Sequence, residues 1–207
     1  MNKRSLILLL LLAGFVMPLL AQSKNKKVED RIQLARDKYT DGLALIAYNS
    51  DEGHPVNYAT VVREQNWAAI GPKTDKMEFY YKEIEEEYEP YPVGYTLCMA
   101  RRTFNQTVRN HLEEYVFDDN GKPLFFFSRF EEIVIGVDID YAPVFEIRLY
   151  YDENGHIIRT IYKMSDENGK MQEFTAKSHP KILESINYYI NPSFSYIQKI
   201  FDAIYNN

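Results

Sequence analysis

The stretch Val144–Met164, VFEIRLYYDENGHIIRTIYKM, contains two runs of strand-forming residues on either side of Asn154 and Gly155. Because Asn-Gly readily adopts the positive φ angles of a tight primed turn, the stretch predicts a β-hairpin. If Asn154 and Gly155 are the central residues of a type I′ turn, Glu153 faces His156. All other pairs of the hairpin follow from this register.

The predicted register separates the hairpin into two faces of different polarity. The pairs of the apolar face are Tyr151 with Ile158, Leu149 with Thr160, and Ile147 with Tyr162. The pairs of the other face are Glu146 with Lys163, Arg148 with Ile161, and Tyr150 with Arg159. A shift of one residue would mix charged and apolar side chains. We therefore expect a sheet with one buried face, and we expect Arg148, Tyr150 and Arg159 to point away from the core.

Two further segments contain the same turn sequence. Tyr115–Phe125, YVFDDNGKPLF, predicts a second hairpin about Asn120 and Gly121. A third segment, DENG at Asp166–Gly169, is followed by no clear β run, so we expect a loop there. Two close copies are too few for a repeat solenoid, which requires about three.

The rest of the chain predicts helices at both ends and strands between them. From Val28 to Ala47 apolar residues recur at steps of three and four, which is typical of an amphipathic helix. Pro180 and the pair Asn191-Pro192 each suit the start of a helix, and an apolar stripe follows both. The consecutive apolar residues of Leu124–Phe127 indicate a central strand that is buried on both faces.

Together these patterns predict an α+β fold. We expect an N-terminal helix, a curved antiparallel β-meander of about six or seven strands, and two C-terminal helices. This order of elements is compatible with cystatin-like or NTF2-like scaffolds, by analogy of topology only.

The first residues have the pattern of a secretory signal peptide. Lys3 and Arg4 precede Leu6–Leu20, an almost wholly apolar run that is short for a membrane-spanning helix. Cleavage after Ala21 makes residues 1–21 the signal peptide and leaves residues 22–207 as a single α+β domain without a membrane-spanning segment. We therefore expect an exported protein, periplasmic or extracellular; an uncleaved membrane anchor is the alternative.

Charge and cysteine content argue against a nucleic-acid-binding protein and against a protein built on disulfide bonds. The formal net charge is −6, and loss of the leader also removes Lys3 and Arg4. Since nucleic-acid binding relies on basic patches, we expect no nucleic-acid partner. The single cysteine, Cys98, cannot form an intramolecular disulfide, and its apolar surroundings predict a buried, inert thiol.

The chain contains no GxSxG, P-loop or GxGxxG motif, and its four histidines lack the spacing of a zinc site. His111, Glu113 and Glu114 form the best acid–base candidate, because His111 and Glu113 would share one face of a strand. The acidic stretch Glu83–Pro92 lacks the ligand spacing of a calcium loop, so we expect a solvated loop. We assign no catalytic residue, cofactor or metal ligand. The candidates for ligand binding are Tyr150, Arg148, Arg159 and His111.

The leader, the helix ARDKYTDGLALIAYN, and the hairpins EEYVFDDNGKPLFF and EIRLYYDENGHII together resemble a known kind of protein. They are similar to small exported proteins of unknown function from Bacteroides-like Gram-negative bacteria. The resemblance covers most of the mature chain and rests on fold-forming motifs. It implies export through the inner membrane and assigns no catalytic residue.

Seventeen tyrosines, the negative charge and the lack of a catalytic motif favour a non-enzymatic binding or interaction module. Its partner would be a protein, a glycan or a small apolar ligand. Two alternatives stay open. One is a small hydrolase or isomerase that uses His111, Glu113 and Glu114, and the other is a carrier of an apolar ligand between the two helices that cover the sheet.

Overall fold

The computed structural model describes residues 25–48, 57–68, 71–106, 109–134 and 139–205, so the predicted signal peptide lies outside the described residues. The first described element is helix α1, residues 25–48. The strands that follow are β1 Tyr58–Trp67, β2 Gly71–Ile84, β3 Gly94–Gln106, β4 Arg109–Phe117, β5 Pro123–Glu131, β6 Val144–Tyr151, β7 Ile157–Ser165 and β8 Met171–Phe174. The last described elements are helix α2 Pro180–Ile186, a 3-10 turn Asn187–Tyr189 and helix α3 Phe194–Tyr205.

The eight strands of the described ranges form one antiparallel sheet in the order β1 to β8. Each strand pairs with the strand before it, so the sheet is a meander without crossovers. This confirms the predicted α+β class with one N-terminal and two C-terminal helices, and the strand count is slightly higher than expected. Of the helices in the described ranges, none has the length and apolar character needed to cross a membrane.

The hairpin of β6 and β7 has the predicted register along most of its length, with Glu146 opposite Lys163 and Tyr150 opposite Arg159. The turn differs from the prediction. The register shifts after Tyr150, so Tyr151 pairs with Ile157 instead of Ile158. Gly155 has φ +80°, but Asn154 does not have a positive φ, whereas a type I′ turn requires both. The Gly155 N–H donates to the Asp152 carbonyl at 3.1 Å, as in a type I turn followed by a glycine bulge.

The aspartate that begins each of these turns closes it with its side chain. Asp152 Oδ1 accepts hydrogen bonds from the N–H groups of His156 at 2.9 Å and Asn154 at 2.8 Å. The bond from the His156 N–H makes the largest contribution to lowering the pKa of Asp152. Asp118 and Asp166 make the same pair of bonds in their own turns. All three DxNG segments are therefore the same local structure.

The expectation of a loop at the third segment is wrong. Asp166–Gly169 is the turn that joins β7 to β8, and it places Met164 opposite Gln172 and Tyr162 opposite Phe174. A strand of only four residues, Met171–Phe174, gives too short a pattern to be recognised by its periodicity. The shared DxNG turn sequence was the signal that could have revealed the hairpin.

Each face of the sheet carries a buried core. On the face that we call the α3 face, the C-terminal helices pack on a core that contains Phe79, Leu97, Tyr115, Phe126, Ile147 and Leu149. On the opposite face, the α1 face, Ile32 and Ala35 of α1 pack on a second core that contains Tyr80, Met99, Val116, Phe125, Phe127 and Tyr150. The four residues Leu124–Phe127 are all buried, which confirms the prediction of a central strand.

This second core corrects the prediction that one side of the main hairpin points away from the protein interior. Ile147 and Leu149 lie in the core as expected, with 0 % and 2 % of their surfaces exposed. Tyr150 is also buried, however, at 4 % exposure, and its ring centroid lies 4.9 Å from that of Phe125. Arg159 forms an ion pair with Glu29 of α1. The alternation within a hairpin identifies which residues share a face, but it does not reveal a helix packed on the second face.

Gly42 allows α1 to approach the sheet closely. A Cβ atom at this position would overlap the Met99 sulfur and would lie 3.4 Å from Met99 Cβ and Cγ. We expect Gly42→Ala to lower the free energy of unfolding by about 1–3 kcal/mol, as overpacking does, although alanine is favoured over glycine in a helix by about 1 kcal/mol. Denaturant titration of the full chain measures this difference. In a Met99→Ala background the same substitution should be neutral or stabilising, and an equal loss in both backgrounds would contradict the contact.

Candidate functional site

Helix α1 covers only one end of the α1 face. Arg31 of α1 donates to Asp118 Oδ2 at 3.0 Å and to the Tyr151 carbonyl at 3.2 Å, and Lys38 donates to Asp119 at 2.5 Å. These contacts place the helix beside the turns β4–β5 and β6–β7. Toward the opposite ends of the strands, the same face carries a groove of about 840 Å³, which is the candidate binding site.

Strand register places the side chains of the groove in rows that run across the sheet. The row nearest the centre of the groove contains Lys76 of β2, Thr103 of β3, Leu112 of β4 and Arg129 of β5. The next row toward the strand ends contains Thr74, Asn105, Asn110 and Glu131. The groove therefore offers hydroxyl, amide and charged groups on a rigid sheet, with one leucine between the two cations.

A buried hydrogen-bonded group separates the groove from α1. Arg101 donates to Glu114 Oε1 from Nε at 2.9 Å and from Nη2 at 2.6 Å, and the Tyr39 hydroxyl donates to Glu114 Oε2 at 2.6 Å. Burial and then the hydrogen bond with Glu114 raise the pKa of Tyr39, so the phenol stays protonated and acts as a donor. This arrangement ties the helix to β3 and β4 and keeps Arg101 in a defined position at the edge of the groove.

The two cations of the central row are more accessible. Lys76 Nζ lies 2.8 Å from Glu78 Oε1, its side chain is 41 % exposed, and the hydrogen bond with Glu78 raises the pKa of Lys76. Arg129 is 53 % exposed and lies 3.3 Å from Glu146, a carboxylate that also accepts from Arg148 at 3.3 Å. Solvent screens ion pairs whose cation is this exposed, so a ligand group can also bind Lys76 and Arg129.

The opposite face of the sheet contains a buried ionic network. Arg102 donates to Asp75 Oδ1 and Oδ2, at 2.8 Å each, and to Glu113 Oε2 at 3.3 Å. The Tyr115 hydroxyl donates to the same Glu113 oxygen at 2.7 Å. Burial raises the pKa of Glu113, although the bonds from Tyr115 and Arg102 oppose this effect. The network lies between the sheet and the C-terminal helices, and its side chains bind one another.

His111 lies beside this network in an aromatic stack. Its ring centroid is 4.7 Å from Phe104 on β3 and 5.5 Å from Phe130 on β5, with interplanar angles of 8° and 15°. Tyr189 of the 3-10 turn packs on the same ring at 5.4 Å. Burial lowers the pKa of His111, and its Nε2 atom is buried without a hydrogen-bond partner among the described residues.

The predicted acid–base group is not assembled in one place. His111 and Glu113 share the α3 face as expected, but Glu113 is bound to Arg102 and Tyr115. Glu114 points to the α1 face, where it is bound to Arg101 and Tyr39. Consecutive residues of a strand point to opposite faces, so two neighbouring glutamates cannot converge on one histidine.

The predicted ligand-binding residues are also separated. Tyr150 is buried under α1, Arg148 donates to Glu146 near the groove, and Arg159 lies beside α1. His111 contributes to the groove wall, although its ring stacks with residues of the α3 face. Whether any of these four residues binds a ligand stays a prediction.

Patterns along the sequence do not identify the groove residues Lys76, Arg101 and Arg129. Their positions on one face depend on the pairing of β2 with β3 and of β4 with β5, which single strands do not reveal. One signal was present in the sequence. Arg101 lies opposite Glu78 on β2 and Glu114 on β4, and Arg102 lies opposite Glu113, so these charges form complementary cross-strand pairs in the observed register.

Two other predicted features lie away from the groove. Tyr88 and Tyr91 of the acidic stretch are 88 % and 79 % exposed, as expected for a solvated loop. Cys98 is half-buried, and burial raises the pKa of its thiol, which disfavours the reactive thiolate. Within the described ranges, no three side chains of His, Cys, Asp or Glu come together in a way that could hold a metal ion.

No protein-family model matches the chain, and neither a curated protein nor a solved structure is significantly similar to it. The fold and the groove define an α+β protein with an eight-stranded antiparallel meander, covered by helices on both faces in its described part.

Proposed function

We propose that the chain is an exported, non-enzymatic binding protein whose ligand lies in the groove across β2 to β5. Export, to the periplasm or the extracellular space, rests on the leader-like residues 1–21 and on the resemblance to small exported proteins of Bacteroides-like Gram-negative bacteria. The observation that carries the proposal is the groove of about 840 Å³ on a sheet face that α1 covers only in part.

The chemistry of the groove supports a polar ligand. Lys76 and Arg129 stand three strands apart, which corresponds to about 14 Å at the usual spacing between strands. Thr103 and Leu112 lie between them and offer a hydroxyl group and a small apolar surface. A glycan or an extended peptide segment has both hydrogen-bonding groups and apolar patches at this spacing. We propose a glycan as the leading ligand class, because hydroxyl, amide and paired charged side chains match a surface of sugar hydroxyl groups.

The surroundings of the candidate catalytic side chains favour a binding function over a hydrolase or isomerase. A general base needs a free lone pair within hydrogen-bond reach of its substrate. Glu113 is 7 % exposed and its carboxylate accepts bonds from Arg102 and Tyr115, and His111 is 4 % exposed between two aromatic rings. The carrier alternative has little support either, because the buried side chains of α2 and α3, such as Ile186 and Phe201, belong to one packed core on the sheet.

A glycan array tests the proposed site. We expect protein purified after expression of the full chain to bind a subset of glycans saturably. The double variant Lys76→Glu/Arg129→Glu should weaken this binding by at least about tenfold, which corresponds to about 1.4 kcal/mol. The reason is that both substitutions reverse the charge of donors on the groove floor.

The matched control is Lys26→Glu/Lys181→Glu, which makes the same change of net charge at exposed positions of α1 and α2. This control should bind as the wild type does. Equal loss of binding in both variants would show a net-charge effect, and the absence of any saturable glycan would overturn the ligand class. Thermal unfolding of each variant separates lost binding from lost folding.

A further inference from the structure

The C-terminal segment, Asn187–Phe201, contacts the α3 face of the sheet partly through one tyrosine. Tyr189 packs on Phe130 with a centroid distance of 5.1 Å and on His111 at 5.4 Å. Its hydroxyl donates to Glu132 Oε2 at 2.5 Å. The 3-10 turn between α2 and α3 therefore contacts the titratable ring of His111 directly.

Among the described residues, the anions beside His111 are already paired with other groups. The described positive charges that act on the imidazole are those of Arg109 on its own strand, Arg102 on β3 and Lys73 on β2, and they lower the pKa of His111. Arg102 stacks on the far side of Phe104, at 4.4 Å from the ring centroid, and is neutralised by Asp75 and Glu113. The anions of the described residues on this side are Glu113, which is bound by Arg102 and Tyr115, and Glu132, which is bound by Arg109, by Tyr189 and by the Ile133 N–H.

We propose that His111 makes the C-terminal segment an acid-labile cap: protonation of the imidazole displaces Tyr189 from the sheet and opens the segment Asn187–Phe201 while the strands stay paired. A charged imidazolium needs a hydrogen-bond acceptor at each nitrogen, and the Nε2 atom of His111 is buried without a partner among the described residues. Tyr189 is the member of the stack that can leave without breaking strand pairing, because it lies on the 3-10 turn. The other two rings belong to β3 and β5.

The direction of the pH effect follows from proton linkage. Burial lowers the pKa of His111 below its ordinary value of 6.5, so the open state binds the proton more readily than the closed state. The contribution of His111 to closure is complete above about pH 6.5 and is lost as the pH falls through the pKa of the closed state. One proton changes the opening equilibrium by at most about tenfold per pH unit in this window. The raised pKa of Glu113 has the opposite effect, since its protonation stabilises the folded protein.

Hydrogen exchange measured by mass spectrometry at pH 7.0 and pH 5.5 tests the cap on the full chain. Protection factors, corrected for the intrinsic exchange rate at each pH, should fall by about three- to eightfold for peptides that cover Asn187–Phe201. Peptides from β5 and β6 should keep their protection. An equal fall in all peptides would indicate global unfolding and overturn the cap, and unchanged protection of the C-terminal segment would overturn it as well.

Two variants assign the effect to the correct histidine. His111→Phe keeps a ring between Phe104 and Phe130 and cannot be protonated, so the C-terminal segment should be equally protected at both pH values. His156→Phe, at an exposed turn position, should behave as the wild type does. If His111→Phe retains the full pH dependence, another group is responsible and the proposal fails. If this variant does not fold, an NMR titration of the His111 ring in the wild type decides, because an ordinary or raised pKa would contradict the mechanism.

Discussion

Substituting Arg102 with methionine is expected to lower the free energy of unfolding by about 3–5 kcal/mol, the range for a buried ion pair that loses one partner. Asp75 and Glu113 are 2 % and 7 % exposed, and Arg102 is the cation that both carboxylates contact in the core. Without it, two buried carboxylates lie close together, and the remaining cation in contact is the half-exposed Arg63 at 3.5 Å from Asp75. Guanidinium denaturation of the full chain at pH 7 measures the loss.

The pH dependence of this loss gives a second readout. Burial already raises the pKa of Glu113 above its ordinary value of 4.5, and removal of Arg102 raises it further. A carboxyl group with a raised pKa binds more protons in the folded state, so its protonation stabilises the fold as the pH falls. The deficit of Arg102→Met should therefore shrink between pH 7 and about pH 4.5.

The matched control is Arg63→Met. Arg63 lies 3.5 Å from the same Asp75 carboxylate, but its side chain is 52 % exposed. We expect a loss below about 1 kcal/mol, because solvent screens exposed ion pairs. Equal losses for the two arginines, or a deficit at Arg102 that does not change with pH, would contradict the buried network.

Phe201→Ala is expected to cost about 3–5 kcal/mol of unfolding free energy, the usual range for truncating a buried phenylalanine. Phe201 is 1 % exposed, and its ring centroid lies 6.0 Å from Phe79 and 5.7 Å from Tyr81. These contacts attach α3 to β2, so the substitution leaves a cavity between the helix and the sheet. The midpoint of chemical unfolding should shift accordingly, with little change in the denaturant dependence.

Ile204→Ala in the same helix is the control for α3. Ile204 is 40 % exposed, so its truncation should cost less than about 1 kcal/mol. Combining Phe201→Ala with Ile32→Ala, which truncates the core on the α1 face, should give losses that add within about 0.5 kcal/mol. A large coupling between the two substitutions would show that the two cores do not act as separate packing units.

Much of the fold was predictable, because its strongest signals are local. The register of β6 and β7 follows from the alternation of Ile147 and Leu149 with Arg148 and Tyr150, and the pairing from Phe145 to Tyr150 confirms it. The α1 stripe and the proline at the start of α2 are also local signals. The turn type was not predictable from the Asn-Gly pair alone. The preceding aspartate binds two N–H groups and selects a type I turn with a glycine bulge.

The candidate site was predicted much less well than the fold. His111, Glu113 and Glu114 are close in sequence, but the two glutamates point to opposite faces and find partners on different elements. Lys76 and Arg129, in turn, are far apart in sequence and meet on one face only through successive strand pairing. A groove is a property of several strands together, whereas charge and motif patterns describe one segment at a time.

The sequence by itself determined the α+β class, the DxNG turns and the alternation of each strand, because these depend on backbone preferences and on neighbours within a few residues. The tertiary structure decided which sheet face is open. Helix α1 carries a stripe that could cover either face, and its packing on Tyr80, Val116 and Tyr150 buries one end of the α1 face and leaves the groove beyond it. The same packing buries Tyr150, which the sequence predicts to lie on the surface. The reason is physical: burial depends on what a side chain meets across the fold, and its own strand does not contain that information.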